Sequence, residues 1–126
     1  MTLVQSRTVI SGLLFVVIIL SGLWLSNSGR PINVIVLTVH KLIAVGMLVL
    51  FALTLHQMNQ AGGLNTAEFI GGGITVLFFI GTIITGGLLS TENSMPRVVL
   101  MLHQIGPILT VLSTAATLYL LLNHKP

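Results

Sequence analysis

Residues 8–25, TVISGLLFVVIILSGLWL, contain no charged side chain. Arg7 and Arg30 flank this stretch, with 22 uncharged residues between them. A helix needs about 20 predominantly apolar residues to cross the roughly 30 Å hydrocarbon layer of a bilayer. The apolar core of a cleaved signal peptide is shorter, at about 7–15 residues. We therefore interpret residues 8–25 as a first membrane span.

The rest of the chain repeats this spacing of charges. Glu68 and Glu92 are separated by 23 uncharged residues, and 27 lie between Arg97 and Lys125. The segment between Arg30 and Glu68 carries only Lys41. Of 126 residues 54% are hydrophobic and seven are charged, whereas soluble domains are about 25% charged. The sequence predicts an all-α integral membrane four-helix bundle, one domain over 1–126, with helices at about 6–26, 32–57, 66–90 and 96–123.

Composition also excludes several functions. The net charge of +3 comes from basic residues at helix ends, without a basic stripe, so nucleic acid binding has no support. With no cysteine, the chain has no covalent c-type haem, cysteine-ligated iron–sulfur cluster or disulfide. There is no aspartate, and Glu68 and Glu92 are predicted at helix ends. We therefore expect neither a Ser-His-Asp site nor a membrane-embedded carboxylate for proton-coupled transport.

Two histidines are predicted at equal depth in the membrane. His40 follows Asn33 by seven residues near the start of the second span, and His103 follows Pro96 by seven at the start of the fourth. Spans two and four of a bundle with short connections run parallel, so equal offsets place both imidazoles at one level. Facing imidazoles in a bundle core are suited to axial ligation of haem iron. We predict His40 and His103 as metal ligands, with helix–helix hydrogen bonding as the alternative.

Residues near this pair suit a bound haem b. Gly46 and Gly106 lie within two turns of the histidines and let a helix backbone approach a bulky cofactor. Arg30, Lys41 and Arg97 lie at the nearer membrane face, where basic side chains suit haem propionates. The same charges also serve as topology determinants beside lipid headgroups, and both interpretations hold together.

The other two histidines, His56 and His124, lie at the far ends of their helices. An interfacial position there requires no cofactor. A second haem held between them stays open as an alternative to a single haem.

The third span is rich in glycine, which lets membrane helices pack closely. We expect this surface to pack within the bundle or between copies in a homo-oligomer. A porphyrin or quinone against it is the less favoured interpretation. The glycines concerned are Gly71, Gly72, Gly73, Gly81, Gly86 and Gly87.

A weak internal repeat links the two histidine-bearing spans. Arg30-Pro31 precedes the second span and Pro96-Arg97 opens the fourth, and HKLI from His40 compares with HQIG from His103. Both duplication of a helix pair and chance are consistent with this similarity.

With VHKLIAVG around His40 and LHQIGP around His103, the chain resembles small transmembrane four-helix b-type cytochromes. In plan it is similar to cytochrome b561-type proteins and to the haem-bearing anchor subunits of succinate dehydrogenases. This resemblance implies electron transfer through one low-spin bis-histidine haem b in a prokaryotic cell membrane. It also implies a membrane redox partner or a quinone, and a component of a redox complex rather than a stand-alone enzyme. Cytochrome b561-type proteins usually hold two haems on four core histidines, whereas this sequence offers one clear pair.

Three other classes of protein stay open. A structural or assembly subunit would use the histidines for packing alone. A chlorophyll-binding photosynthetic subunit would use each histidine for one magnesium. A small metal-binding or transport protein would need further ligands, for which Met47, Met95 and Met101 are the nearby candidates.

Overall fold

The computed structural model describes residues 1–91 and 94–125, and these residues form four long helices. All four helices are long and apolar enough to cross a membrane. The predicted all-α membrane four-helix bundle is therefore confirmed. The helices are α1 (Leu3–Ser28), α2 (Val34–Gly62), α3 (Thr66–Leu89) and α4 (Arg97–Leu122).

Successive helices are antiparallel neighbours in the bundle. The largest interface joins α3 to α4, the next joins α1 to α2, and smaller α2–α3 and α1–α4 interfaces close the ring. Consequently α2 and α4 lie on a diagonal and run in the same direction. This arrangement places the starts of both histidine-bearing helices at one membrane face.

The helix ends follow from local capping chemistry. Thr2 caps α1, which begins a few residues before its predicted start, and Asn65 caps α3. The α2 helix was predicted to end near Gln57 but continues to Gly62, and Gly63 then leaves the helix with φ 81°. Only glycine adopts that conformation without steric cost. Glu92, predicted at a helix end, lies outside the described residues.

The outward surface of the bundle is apolar, and its buried core is small. Many leucine, isoleucine and valine side chains are exposed along every helix, as the hydrocarbon of a bilayer requires. Met47, Phe51 and Phe79 form the buried cluster at mid-bundle. Several threonines are also buried, mostly on α4. The surface supports the predicted lipid bilayer environment.

Candidate metal centre

The structure brings His40 and His103 together across the bundle diagonal. Their ring centroids lie 6.5 Å apart, and the ring planes make an angle of 73°. Both side chains are half-buried. Two residues 63 positions apart in sequence therefore form a facing pair, which we call the histidine pair.

The orientation of the His40 ring is set by α1. Nδ1 of His40 lies 2.8 Å from Oγ of Ser21, and that hydroxyl lies 3.0 Å from the carbonyl oxygen of Ile18. Because Ser21 donates its proton to Ile18, its oxygen accepts the Nδ1–H of His40. Gly22 leaves room for the ring, since a Cβ there would lie 3.1 Å from Cε1 of His40.

The orientation of the His103 ring is set in the same way by α3. Nδ1 of His103 lies 3.0 Å from the carbonyl oxygen of Thr82 and 3.2 Å from Oγ1 of Thr85. A carbonyl oxygen only accepts, so Nδ1 of His103 carries the proton. Gly86 lies against this ring, because a Cβ there would approach Cε1 to 2.7 Å.

Both histidines thus keep the proton on Nδ1 and a free lone pair on Nε2. Neither Nε2 makes a hydrogen bond to any residue that the structure describes. Imidazoles that bind metals commonly do so in this state, with the distal N–H fixed by a carbonyl or another acceptor. The hydrogen bonds therefore leave Nε2 of both rings available to a metal ion.

The residues that contact the His40 ring and those that contact the His103 ring occupy equivalent positions in the two halves of the chain. Ser21-Gly22 and Thr85-Gly86 are the matching dipeptides, and the hydroxyl residue precedes its histidine by 19 residues in the first half and 18 in the second. The weak repeat around His40 and His103 is thus accompanied by a hydroxyl–glycine dipeptide in both α1 and α3. Sequence reasoning missed Ser21, Gly22 and Thr85 and named Gly86 only as part of the glycine-rich surface of the third span, although the recurring hydroxyl–glycine dipeptide was a detectable signal.

The spacing of the rings fits a single metal ion. Two imidazoles that bind one ion through Nε2 at about 2.0–2.1 Å have ring centres about 6–6.5 Å apart. The observed separation is 6.5 Å. Within residues 1–91 and 94–125, no group of three or more His, Cys, Asp or Glu side chains could hold a metal. In the described part of the chain, the histidine pair is therefore a group of two such side chains.

The predicted propionate partners lie at this end of the bundle. Arg30 donates to the carbonyl of Leu89 at 3.0 Å, and Lys41 donates to Oγ of Ser90 at 2.8 Å. Both cations thus stabilise the C-terminal end of α3, where carbonyl groups lack helical partners. Arg97 is exposed in the first turn of α4.

The two predicted cofactor glycines differ in their surroundings. A Cβ at Gly106 would clash with the side chain of Thr82, so this glycine lets α4 approach α3 closely. A Cβ at Gly46 would meet nothing within 4 Å. The contact at Gly106 is thus a helix–helix contact, and Gly46 lies beside open space.

The remaining histidines do not form a second matched pair. His56 is exposed and lines a groove of about 330 Å³ on the lipid-facing surface between α2 and α3. His124 instead binds the Glu68 carboxylate through Nδ1, at 2.7 Å from Oε1. Glu68 lies in the first turn of α3, as predicted, but its side chain is 0% exposed. The end of α4 covers this helix end, so Glu68 keeps its predicted position at a helix end but is buried within the bundle.

Comparison of the chain with protein-family models, curated proteins and solved structures finds no match.

Proposed function

We propose that His40 and His103 are the axial ligands of one haem b, and that the protein is a membrane cytochrome that transfers electrons. The observation that carries this proposal is that both imidazole rings have the same protonation and the same pattern of hydrogen bonds. Each Nδ1–H is fixed by the preceding helix, each Nε2 is free, and the ring centroids are 6.5 Å apart. We include in this proposal the likeness in plan to cytochrome b561-type proteins.

The number of ligands favours a porphyrin over a bare ion. Structural zinc sites take four protein ligands, and the histidine pair supplies two. A porphyrin provides four nitrogens of its own, so two imidazoles complete six-fold coordination. Chlorophyll magnesium would require one histidine for each pigment, and a ring separation of 6.5 Å leaves room for one metal rather than two.

The role of the protein residues is to hold and enclose the site. Haem would supply a one-electron iron couple at this position. His40 and His103 together fill both axial positions, which favours electron transfer over chemistry at an open metal site. Ser21 and Thr82 fix the ring orientations from two other helices, so the ligand geometry is held rigidly. Gly22 and Gly86 keep the adjacent helix surfaces clear of side chains.

The position of the site indicates how electrons would reach it. Arg30, Lys41 and Arg97 lie at the same membrane face as the histidine pair and are all exposed. We propose that these cations bind the propionates and the headgroups around them. A redox partner on that side, or a quinone in the bilayer, would then exchange electrons with the site. In this proposal the protein is a component of a redox complex in a prokaryotic cell membrane.

Absorption spectroscopy tests the proposal directly. We would record oxidised and dithionite-reduced spectra of the detergent-purified wild type and of the His40→Ala and His103→Ala variants. A sharp reduced α-band is expected in the wild type and is expected to be lost or altered in both variants. His56→Ala is the matched control, because it removes an exposed imidazole from the same helix as His40, and its spectrum should equal that of the wild type. A colourless wild type after expression with ample haem would refute the cytochrome assignment.

A further inference from the structure

The groove between α2 and α3 opens to the lipid at the end of the bundle opposite the histidine pair. Its volume is about 330 Å³, and its lining contains no Asp, Glu, Lys or Arg side chain. Ligand sites in proteins typically measure about 300–1,000 Å³, so this groove is at the small end of that range. A groove of this size is suited to a single hydrocarbon chain rather than to a whole lipid molecule.

Two glycines of α3 shape this groove in different ways. Gly72 is buried, and a Cβ there would lie 2.8 Å from Cδ1 of Leu55, so this side chain of α2 packs on the α3 backbone and forms the floor. Gly73 also lines the groove, but a Cβ there would meet nothing within 4 Å. From Phe69 to Val76 the α3 wall is about 10 Å long. The groove therefore extends from the helix end into one leaflet of the bilayer.

Two hydrogen-bond donors lie on the α2 side of the groove. Oδ1 of Asn59 accepts the backbone N–H of Leu64 at 3.3 Å, which orients the amide and leaves Nδ2 as a donor. The imidazole of His56, one turn earlier on the same face of α2, also carries an N–H. Neither Nδ2 of Asn59 nor the His56 ring is hydrogen-bonded within the part of the chain that the structure describes. Both donors are therefore free to bind a ligand.

These two donors lie at the boundary of the hydrocarbon layer. With 29 residues α2 is about 43 Å long, so it extends roughly 6–7 Å beyond each side of a centred 30 Å hydrocarbon layer. Asn59 and His56 lie about 4–5 Å and about 9 Å from the end of α2 at Gly62, one on each side of that boundary. The two ester carbonyls of a diacyl glycerolipid lie at this level. They are uncharged oxygens that only accept hydrogen bonds.

The corresponding surface of the other half of the chain has apolar side chains at two of these positions. By the sequence offsets of the matching dipeptides and of the histidine pair, Gly73 corresponds to Val9 and Asn59 to Leu122. Val9 is 51% exposed and Leu122 is 43% exposed. An open glycine and an amide are therefore not needed for the packing of equivalent helices, which favours a role in binding.

We propose that this groove binds one diacyl glycerolipid of the adjacent leaflet through its ester carbonyls. Nδ2 of Asn59 and the N–H of His56 each donate to one ester oxygen, and one acyl chain lies along α3 over Gly73. The head group extends from the esters towards water. The site does not depend on the proposed cytochrome function, because neither histidine of the pair takes part in it.

Mass spectrometry of the intact protein, released from detergent micelles, tests this site by counting the lipids that stay bound. The purified full chain would be titrated with dioleoylphosphatidylcholine and with its dialkyl ether analogue, which has the same head group and chain length but no ester carbonyl. We expect one ester lipid per chain. One neutral hydrogen bond changes affinity by about two- to tenfold, so the ether analogue should bind at least about fivefold more weakly. Equal binding of the two lipids would overturn the proposal.

Variants of the two donors test how the esters are recognised. Asn59→Asp keeps an oxygen that accepts the N–H of Leu64 but loses the donor, and His56→Ala removes the other donor. Each variant should bind the ester lipid about two- to tenfold more weakly and show a smaller preference over the ether analogue. A preference that is unchanged in both variants would overturn the proposal.

Filling the groove tests its position. Gly73→Leu should lose the bound lipid, whether ester or ether. Gly81→Leu is the matched control on the same helix, because a Cβ at Gly81 also meets nothing within 4 Å, and Gly81 lies outside the groove. It should bind lipid as the wild type does. Circular dichroism and elution as a single species in detergent would check the folding of each variant. Undiminished binding in Gly73→Leu, or an equal loss in Gly81→Leu, would overturn the proposal.

Other occupants of the groove are distinguished in the same experiment. Displacement of the ester lipid by an equimolar amount of decylubiquinone would assign the groove to a quinone and overturn the lipid assignment. The masses also show whether each chain carries haem. A haem-free, colourless protein that prefers the ester lipid would refute the cytochrome proposal and leave the lipid site standing.

Discussion

Phe15 of α1 stacks on Phe79 of α3 with ring centroids 6.1 Å apart and 25° between the ring planes. Each ring belongs to the residue six positions before the hydroxyl that contacts a histidine, Ser21 in one half and Thr85 in the other. The two halves of the molecule therefore meet through equivalent phenylalanines. This contact lies in the core cluster with Met47 and supports the helices that orient the histidine pair.

Loss of the Phe79 ring should destabilise the bundle more than loss of its counterpart. Phe79 is 6% exposed and contacts both Phe15 and Phe51, whereas Phe15 is only partly buried. We expect Phe79→Ala to lower the free energy of unfolding by about 3–5 kcal/mol and Phe15→Ala by less. Thermal unfolding in detergent, followed by circular dichroism, measures both. Phe69→Ala, at a side chain that is 70% exposed, is the control, and an equal loss there would contradict the assignment of this core.

The Ser21 hydroxyl should contribute to haem affinity through His40. Acceptors for the distal N–H of a ligating histidine typically change metal affinity by about 10–100-fold. We expect Ser21→Ala to weaken haem binding within that range. Thr85→Val should weaken it less, because His103 keeps the carbonyl of Thr82. Titration of haem into haem-depleted protein gives the affinities. Thr38→Val removes an exposed hydroxyl of α2 and should have no effect; an equal loss in all three variants would contradict the prediction.

A methyl group at Gly86 should displace the His103 ring. The added Cβ would lie 2.7 Å from Cε1 of His103, so the ring or α3 has to move. We expect Gly86→Ala to weaken or abolish the reduced α-band. Gly87→Ala is the neighbouring control, since a Cβ there meets nothing within 4 Å, and its spectrum should match that of the wild type. Unchanged spectra in Gly86→Ala would mean that the ring is not held against this helix.

The two glycines near the histidines should respond differently to alanine. Gly106→Ala places a methyl group against the side chain of Thr82 and should destabilise the α3–α4 interface by about 1–3 kcal/mol. Gly46→Ala fills open space and should raise stability by about 0.4–1 kcal/mol, because alanine has less conformational freedom in the unfolded chain. Thermal unfolding of both variants in the same detergent distinguishes them. If Gly46→Ala is destabilised instead, the prediction is contradicted, because the added methyl group must then meet an atom near α2.

The sequence by itself determined the number of helices, their approximate ends and the depth of the histidine pair. Charged residues are too costly to bury in hydrocarbon without partners, so they mark the ends of the spans. The short connections make the second and fourth spans parallel. Because each helical residue rises by the same amount, two histidines at the same distance from the starts of these spans lie at the same depth. His40 and His103 could be predicted as a pair for this reason.

Only the tertiary structure decided how each helix is rotated about its axis and which polar groups meet. Apolar residues cover every face of these helices, and large apolar side chains are exposed on all four, so hydrophobicity does not distinguish the buried face. The binding of Ser21 to His40 and the burial of Glu68 under His124 both depend on that rotation. Both contacts join residues that are distant in sequence, and their geometry is fixed by close packing between helices.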